Sequence, residues 1–201
     1  MVAGFDEVGK GSWAGPLTVG VVVIPADRRI YKVRDSKQLS ERQREAMVDR
    51  IKEWSIDWSV GHASPRECDD LGMSDAQRLA TQRAIADLSV DVDHALADGR
   101  WDFVETIPTT TIVKGDATSM SIAAASIIAK VTRDRIMRAA AESFPWYAFD
   151  SNKGYPCHRH RGALRIVGPS TIHRRSWSFM EDLDWDGIPE CRSTIPPPTL
   201  F

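Results

Sequence analysis

Residues 2–25 read VAGFDEVGKGSWAGPLTVGVVVIP. Two β-branched, apolar runs, 2–8 and 17–25, flank the Gly- and Pro-rich connection GKGSWAGP, a pattern that predicts two strands of a hairpin-like pair. Inside it, GFDEVGKG (4–11) parses in two incompatible ways. Read as G-x-x-x-x-G-K, it comes within one residue of a phosphate-cradling P-loop; read as paired acids among glycines, it marks a cation site. A P-loop needs a buried strand before its first glycine and a helix that starts at Lys-Ser/Thr. Here three residues precede Gly4, Gly11 brings no hydroxyl after Lys10, and SWAGP is a poor helix start. Asp6 and Glu7 would also sit inside the anion cradle and repel the phosphate. The carboxylate parsing stands. Adjacent acids on a regular strand point to opposite faces, so both serve one site only where the strand twists or ends, as Val8-Gly9 permits.

A lone Asp-Glu pair usually marks a solvated strand edge, so the reading depends on partners. Downstream, Ser40 with Gln43 forms a capping box that opens a helix to about Trp54, with Ala46, Met47, Ile51 and Trp54 on one face. Residues 54–64 alternate like a third strand. Two further capping boxes follow, Ser64-Pro65-Arg66-Glu67 and Ser74-Asp75-Ala76-Gln77, the second opening a helix to about Leu88. VDHALAD (92–98) predicts a short strand ending at Asp98-Gly99. TTIVKGD (110–116) predicts another, ending at Gly115-Asp116. A long Ala- and Ile-rich helix is predicted from about Ser119 to Glu142, and residues 157–183 are expected to be helical in part. The order of elements implies one mixed α/β layer structure.

Asp98 and Asp116 thus repeat the logic of Asp6 and Glu7, because ligand sites in α/β sheets gather at the carboxyl ends of strands. Four hard-oxygen donors without His or Cys at ligand spacing select Mg²⁺ or Mn²⁺ over zinc. Clustered carboxylates that hold such ions are common equipment for in-line phosphoryl transfer.

Composition sets the frame. The chain has 201 residues, 42% hydrophobic and 27% charged, as in ordinary globular proteins. Its longest apolar runs, LTVGVVVIP and IAAASIIA, are too short to span a membrane. Asp6 and Glu7 interrupt any leader-like stretch, so a cytoplasmic location is expected. Cys68, Cys157 and Cys191 show neither disulfide nor zinc spacing. Cys157 stands near His158 and His160, where the simplest reading is a bystander thiol. Net charge is only −2, but it is unevenly spread. Residues 151–180 hold six cations (Lys153, Arg159, Arg161, Arg165, Arg174, Arg175) and no acid. The last 21 residues hold five acids and one arginine; removing their net −4 from −2 leaves the body at +2. The basic block suits a polyanion. The Pro-rich end is expected to be disordered.

Taken in order, GFDEVGKGSWAGPLTVGVVV, DSKQLSERQRE, ADG, KGDATSMSIAAASIIAKVTRDRIM, NKGYPCHRH and HRRSW resemble ribonuclease HII, the type 2 ribonuclease H, over about residues 3–180. The resemblance implies a ribonuclease H-like α/β fold: a mixed five-stranded sheet, its first three strands antiparallel, flanked by helices, with a helical C-terminal region. It divides the chain into a catalytic domain at 1–183, including the basic C-terminal segment, and an acidic, Pro-rich tail at 184–201. It implies endonucleolytic cleavage of RNA in RNA–DNA hybrids and at single ribonucleotides embedded in duplex DNA, leaving 5′-phosphate and 3′-hydroxyl ends, by a monomer without membrane association. Asp6, Glu7, Asp98 and Asp116 match the family's four acids and are predicted ligands of two Mg²⁺ or Mn²⁺ ions. Gly9-Lys10-Gly11 matches its glycine–basic–glycine motif, whose backbone reads the 2′-hydroxyl. Lys10 stands where arginine is common, and a lysine cannot form a bidentate fork. Tyr155 matches the tyrosine that packs on the following deoxyribose. Ser36, Lys37, Ser126, Lys130 and Arg133 resemble phosphate contacts. His173-Arg174-Arg175 could hold either nucleic acid or the C-terminal helix. Ribonuclease HIII shares the carboxylates but lacks the glycine–basic–glycine motif. A non-catalytic hybrid-binding module would gain nothing from acids that repel its ligand.

Overall fold

In a computed structural model, which describes residues 1–28, 30, 33 and 39–181, the two apolar runs form strands β1 (Val2–Val8) and β2 (Leu17–Val23). They pair antiparallel, with Asp6 opposite Gly20. Strand β3 (Asp57–Ala63) adds antiparallel to β2, while β4 (His94–Asp98) and β5 (Thr109–Ile112) continue from β1 in parallel. The sheet order is β3-β2-β1-β4-β5. This is the mixed five-stranded sheet the sequence predicts.

Helices cover both faces, which is why β2 reads as an unbroken apolar run: all seven of its residues are buried. On one face lie α1 (Glu41–Trp54) and the long α5 (Met120–Ser143), packed through Met47, Val48, Ile51, Ala124, Ile127 and Ile128. On the other lie α2 (Pro65–Leu71) and α3 (Met73–Ala86), where Ala76, Ala80 and Ala84 meet Phe5, Val19 and Val21. The small residues let helices ride directly on strand backbone. A Cβ on Gly20 would come within 2.6 Å of the Ala125 carbonyl oxygen, so α5 reaches this depth only over glycine. A third cluster joins the end of α5 to the short helical turn α6 (Phe149–Asn152) and to α7 (His158–Val167) by way of Met137, Tyr147, Phe149 and Leu164 in its interior, while the turn α4 (Gly115–Thr118) packs against α5 and β4. Among the described residues no helix is long and apolar enough to cross a membrane.

The capping boxes at Ser40 and Ser64 form as read, each serine accepting from the N3 amide while the N3 side chain reaches back. Two expectations are corrected. Helix α3 begins at Met73 after Gly72, with no side-chain cap, so Ser74 is helical and Gln77 is released for another role. Strand β5 stops at Ile112, and Lys114 turns the chain with φ +56°. Asp116 therefore stands in the first turn of α4 rather than at a strand end. The tail at 184–201, with its expected disorder, lies outside the described residues.

Candidate active site

Strand alternation distributes the acids. Phe5 pairs with Ala97, and both face the α3 side. One step on, Asp6 and Asp98 therefore share the opposite, α5 side. There Ser126, on the turn of α5 that passes over Gly20, hydrogen-bonds the Asp6 carboxyl, which also accepts its neighbour's N–H, Glu7 N to Oδ1, at 2.8 Å. Glu7 points toward α3, where its Oε2 accepts from Gln77 Nε2 at 3.3 Å. The two acids reach one place because β1 ends at Val8. Asp6, Glu7, Gly9, Lys10, Gly11, Asp98, Ser126, Lys130 and Tyr155 all line a cleft of about 320 Å³, with Arg44 of α1 on its rim. Asp116 is buried and does not line this cleft; it lies one residue past Gly115, whose N–H donates to Asp98 Oδ1 at 2.6 Å.

Crowded negative charge governs the chemistry. Burial, reinforced by the charges of Glu7 and Asp98, raises the Asp6 pKa to about 8 despite the hydrogen bonds from Ser126 and Glu7 N–H. Among the described residues, no three acids, histidines or cysteines are yet drawn close enough to grip a metal ion. Each acid instead turns to a neutral or cationic partner: Asp6 to Ser126, Glu7 to Gln77, Asp98 to the Gly115 amide. The donor set is all hard oxygen, carried on adjacent strand ends and opening into one cleft. That chemistry fits a divalent cation of the Mg²⁺ or Mn²⁺ type.

Beside the acids, the loop 9–16 is held rigidly. Gly9 has φ +91°, and a Cβ there would strike Arg133 Nε at 2.3 Å, so both conformation and space require glycine. The Tyr155 hydroxyl accepts from Gly9 N–H at 3.0 Å, placing the predicted sugar-contacting ring directly against the glycine–basic–glycine backbone. Gly11, by contrast, opens on empty space. Lys10 sends its ammonium sideways to Gln77 Oε1 at 3.0 Å and over the Trp101 ring, 5.2 Å from its centroid.

Arg133 is corrected. It is fully buried, and its guanidinium donates to the carbonyls of Pro16, Ala14 and Lys153 and to the Ser12 hydroxyl at 2.8–3.0 Å. It has no reach to a phosphate; it fastens the loop from beneath. Arg174 does the same from the C-terminal segment, donating to Gly15 and Lys10 carbonyls. Its oxygen acceptors thus belong neither to nucleic acid nor to the C-terminal helix but to the backbone of loop 9–16. Lys130 reaches the cleft as a paired cation, 2.6 Å from Asp134. Cys157 caps α7 by accepting from His160 N–H. Ser36 and Lys37 lie outside the described residues. Nothing in the sequence marks Gln77, Trp101 or Arg44 as site neighbours. Their side-chain types are common on surfaces, and only the register of distant elements brings them here.

The ribonuclease HII family model matches residues 3–180. The chain is 45% identical over 177 residues to a ribonuclease HII of Caulobacter vibrioides, covering 88% of this chain and 84% of that one. It is 42% identical over 197 residues to a ribonuclease HII of Streptomyces griseus, covering 95% and 83%. The crystal structure of ribonuclease H2 from Pyrococcus horikoshii superposes with a TM-score of 0.77 at 28% identity, over 90% of this chain and 95% of that one.

Proposed function

This chain belongs to the ribonuclease HII family, metal-dependent ribonuclease H endonucleases, and we propose that it cuts the RNA strand of RNA–DNA hybrids and nicks 5′ of single ribonucleotides in duplex DNA. The observation that carries this reading is adjacency. Asp6, Glu7 and Asp98 open into the same cleft as Gly9-Lys10-Gly11 and Tyr155. A 2′-hydroxyl is the atom that separates RNA from DNA, and here glycine backbone stands within one cleft of the acids.

Asp6, Glu7 and Asp98 would hold Mg²⁺ or Mn²⁺, with Asp116 contributing from the first turn of α4. Two such ions, when bound, supply a water activated for attack and neutralise charge on the leaving oxygen. The chain's own residues do the rest. Ser126 orients the Asp6 carboxyl. Tyr155 fixes Gly9, so the backbone of 9–11 meets the ribose in one geometry. Lys10 and Lys130 set positive charge along the phosphate path. Because Arg174 supports loop 9–16, we take the catalytic unit to run through residue 183.

The test is a DNA duplex with one embedded ribonucleotide, incubated with Mg²⁺ or Mn²⁺. A nick 5′ of that position, leaving 5′-phosphate and 3′-hydroxyl ends, is expected. No nick with either metal would sink the proposal. Asp6→Asn should abolish cleavage while duplex binding persists; an equal loss of binding would make Asp6 a structural residue.

A further inference from the structure

Gln77 sits on α3 with its side chain fully buried in a row of small residues, Ala76, Ala80, Thr81 and Ala84. A long carboxamide has no packing reason to be there, since an apolar side chain of the same length would fill the space. Its polar atoms explain the choice. Nε2 donates to Glu7 Oε2 at 3.3 Å, and Oε1 accepts from Lys10 Nζ at 3.0 Å. The partners fix the amide orientation without ambiguity, because an ammonium only donates and a carboxylate only accepts. One side chain thus spans an acid of the cleft and the cation of the sugar-reading loop.

We propose that Gln77 is a positioning residue that sets the Glu7 carboxylate and the Lys10 ammonium at a fixed separation, coupling metal-site geometry to substrate grip. The proposal rests on the function given above for Glu7 and Lys10. Without the amide, Glu7 loses a neutral donor that holds its oxygen in place. Lys10 keeps only the Trp101 face, which attracts a cation but does not direct it. Residues that orient metal ligands by hydrogen bonds are worth roughly 10–100-fold in metal affinity.

The experiment uses Gln77→Met, which preserves length and removes both hydrogen bonds. Calorimetric titration of the free, full-length protein with Mn²⁺ should show dissociation constants weakened by about tenfold relative to wild type. In cleavage of the single-ribonucleotide duplex at saturating Mn²⁺, KM should rise severalfold. The same KM rise is expected from Lys10→Met alone, and Gln77→Met should add nothing to KM in that background, although it should still weaken Mn²⁺ binding there. General loosening of the fold would instead add to KM in both backgrounds. Gln77→Asn keeps the amide but is one methylene too short to span both partners, so it should behave like Gln77→Met. Unchanged Mn²⁺ affinity in Gln77→Met, or fully additive KM effects, would overturn the proposal. A wild type that binds Mn²⁺ but leaves the duplex intact would overturn the reading of function instead, and leave the Gln77 result standing on the metal titration.

Discussion

Imidazoles held neutral in the fold make it acid-labile by an amount that can be worked out. His173 is buried, and its pKa is pushed down to about 3 by burial and then by the neighbouring His160. Its Nε2 lies 2.8 Å from His160 Nε2, and its Nδ1 receives the Ser170 N–H. His160 Nδ1 in turn faces the Tyr155 carbonyl, so a neutral pair satisfies every position without a second proton. His62, 2.9 Å from Thr18 Oγ1, is lowered to about 4 by burial and by the charges of Arg133 and Arg83. Both pKa values fall below the ordinary 6.5, so the unfolded chain takes up protons first as pH drops. Stability is full above about 6.5 and is lost toward the folded values. Integrated from pH 7.5 to 5.0, His62 and His173 each account for about 2 kcal/mol, together roughly 4 kcal/mol, and His160, lowered by burial, adds to the same loss. That is a large part of a typical domain's stability. Asp6 moves the other way: its raised pKa means stability present below 3.8 and lost as pH rises through about 8. The measurement therefore belongs in Asp6→Asn protein with EDTA, by urea unfolding at pH 7.5, 6.0 and 5.0. The expected result is a loss of no less than about 4 kcal/mol across the range, smaller by about 2 kcal/mol in Asp6→Asn/His173→Gln. A flat profile, or one that His173→Gln leaves unchanged, refutes the argument.

Two further outcomes follow from the loop. Arg133→Met leaves the Ala14, Pro16 and Lys153 carbonyls without their buried donor and should destabilise by roughly 3 kcal/mol or more, seen as a lower thermal midpoint. Arg133→Lys should rescue little of it, because one ammonium cannot reproduce the fork. Tyr155→Phe removes the acceptor for Gly9 N–H. It should lower kcat/KM on the single-ribonucleotide duplex about tenfold, equivalent to one hydrogen bond, while urea unfolding shifts by no more than about 1.5 kcal/mol.

Much of the fold was legible because its signals are local. The strands at 2–8 and 17–23, the capping boxes at Ser40 and Ser64, and the long helix each announce themselves within a dozen residues. The misreading at Ser74 shows the limit. Ser-x-x-Gln has capping-box spacing, yet Gly72 at φ +78° already turns the chain, and Gln77 gains more from two partners at the end of β1 than from its own helix terminus. The strand predicted at 110–116 forms but stops at Ile112 for a similar reason. Asp98 draws the Gly115 amide toward itself, and the chain curls into α4 instead of extending.

The basic block at 151–180 carries the deeper lesson, because sequence cannot tell an inward cation from an outward one. Arg159, Arg161, Arg165 and Arg175 are exposed, whereas Arg174 and Lys153 are buried. Among the described residues Arg174, like Arg133, makes no hydrogen bond to a carboxylate; its oxygen acceptors are loop carbonyls more than 150 positions away in the chain. Burying a guanidinium on neutral oxygens is expensive unless those oxygens are already aimed at it. The loop must therefore be preformed around both arginines before any substrate arrives. This explains how so glycine-rich a segment as GKGSWAGP can hold one fixed shape. Its own residues give close approach, while its rigidity is supplied by α5 and the C-terminal segment. Asp6, Glu7 and Asp98, picked out by their places at glycine-flanked strand ends, do share one cleft, whereas the frame that gives the neighbouring glycines a defined shape exists only once the chain has closed on itself.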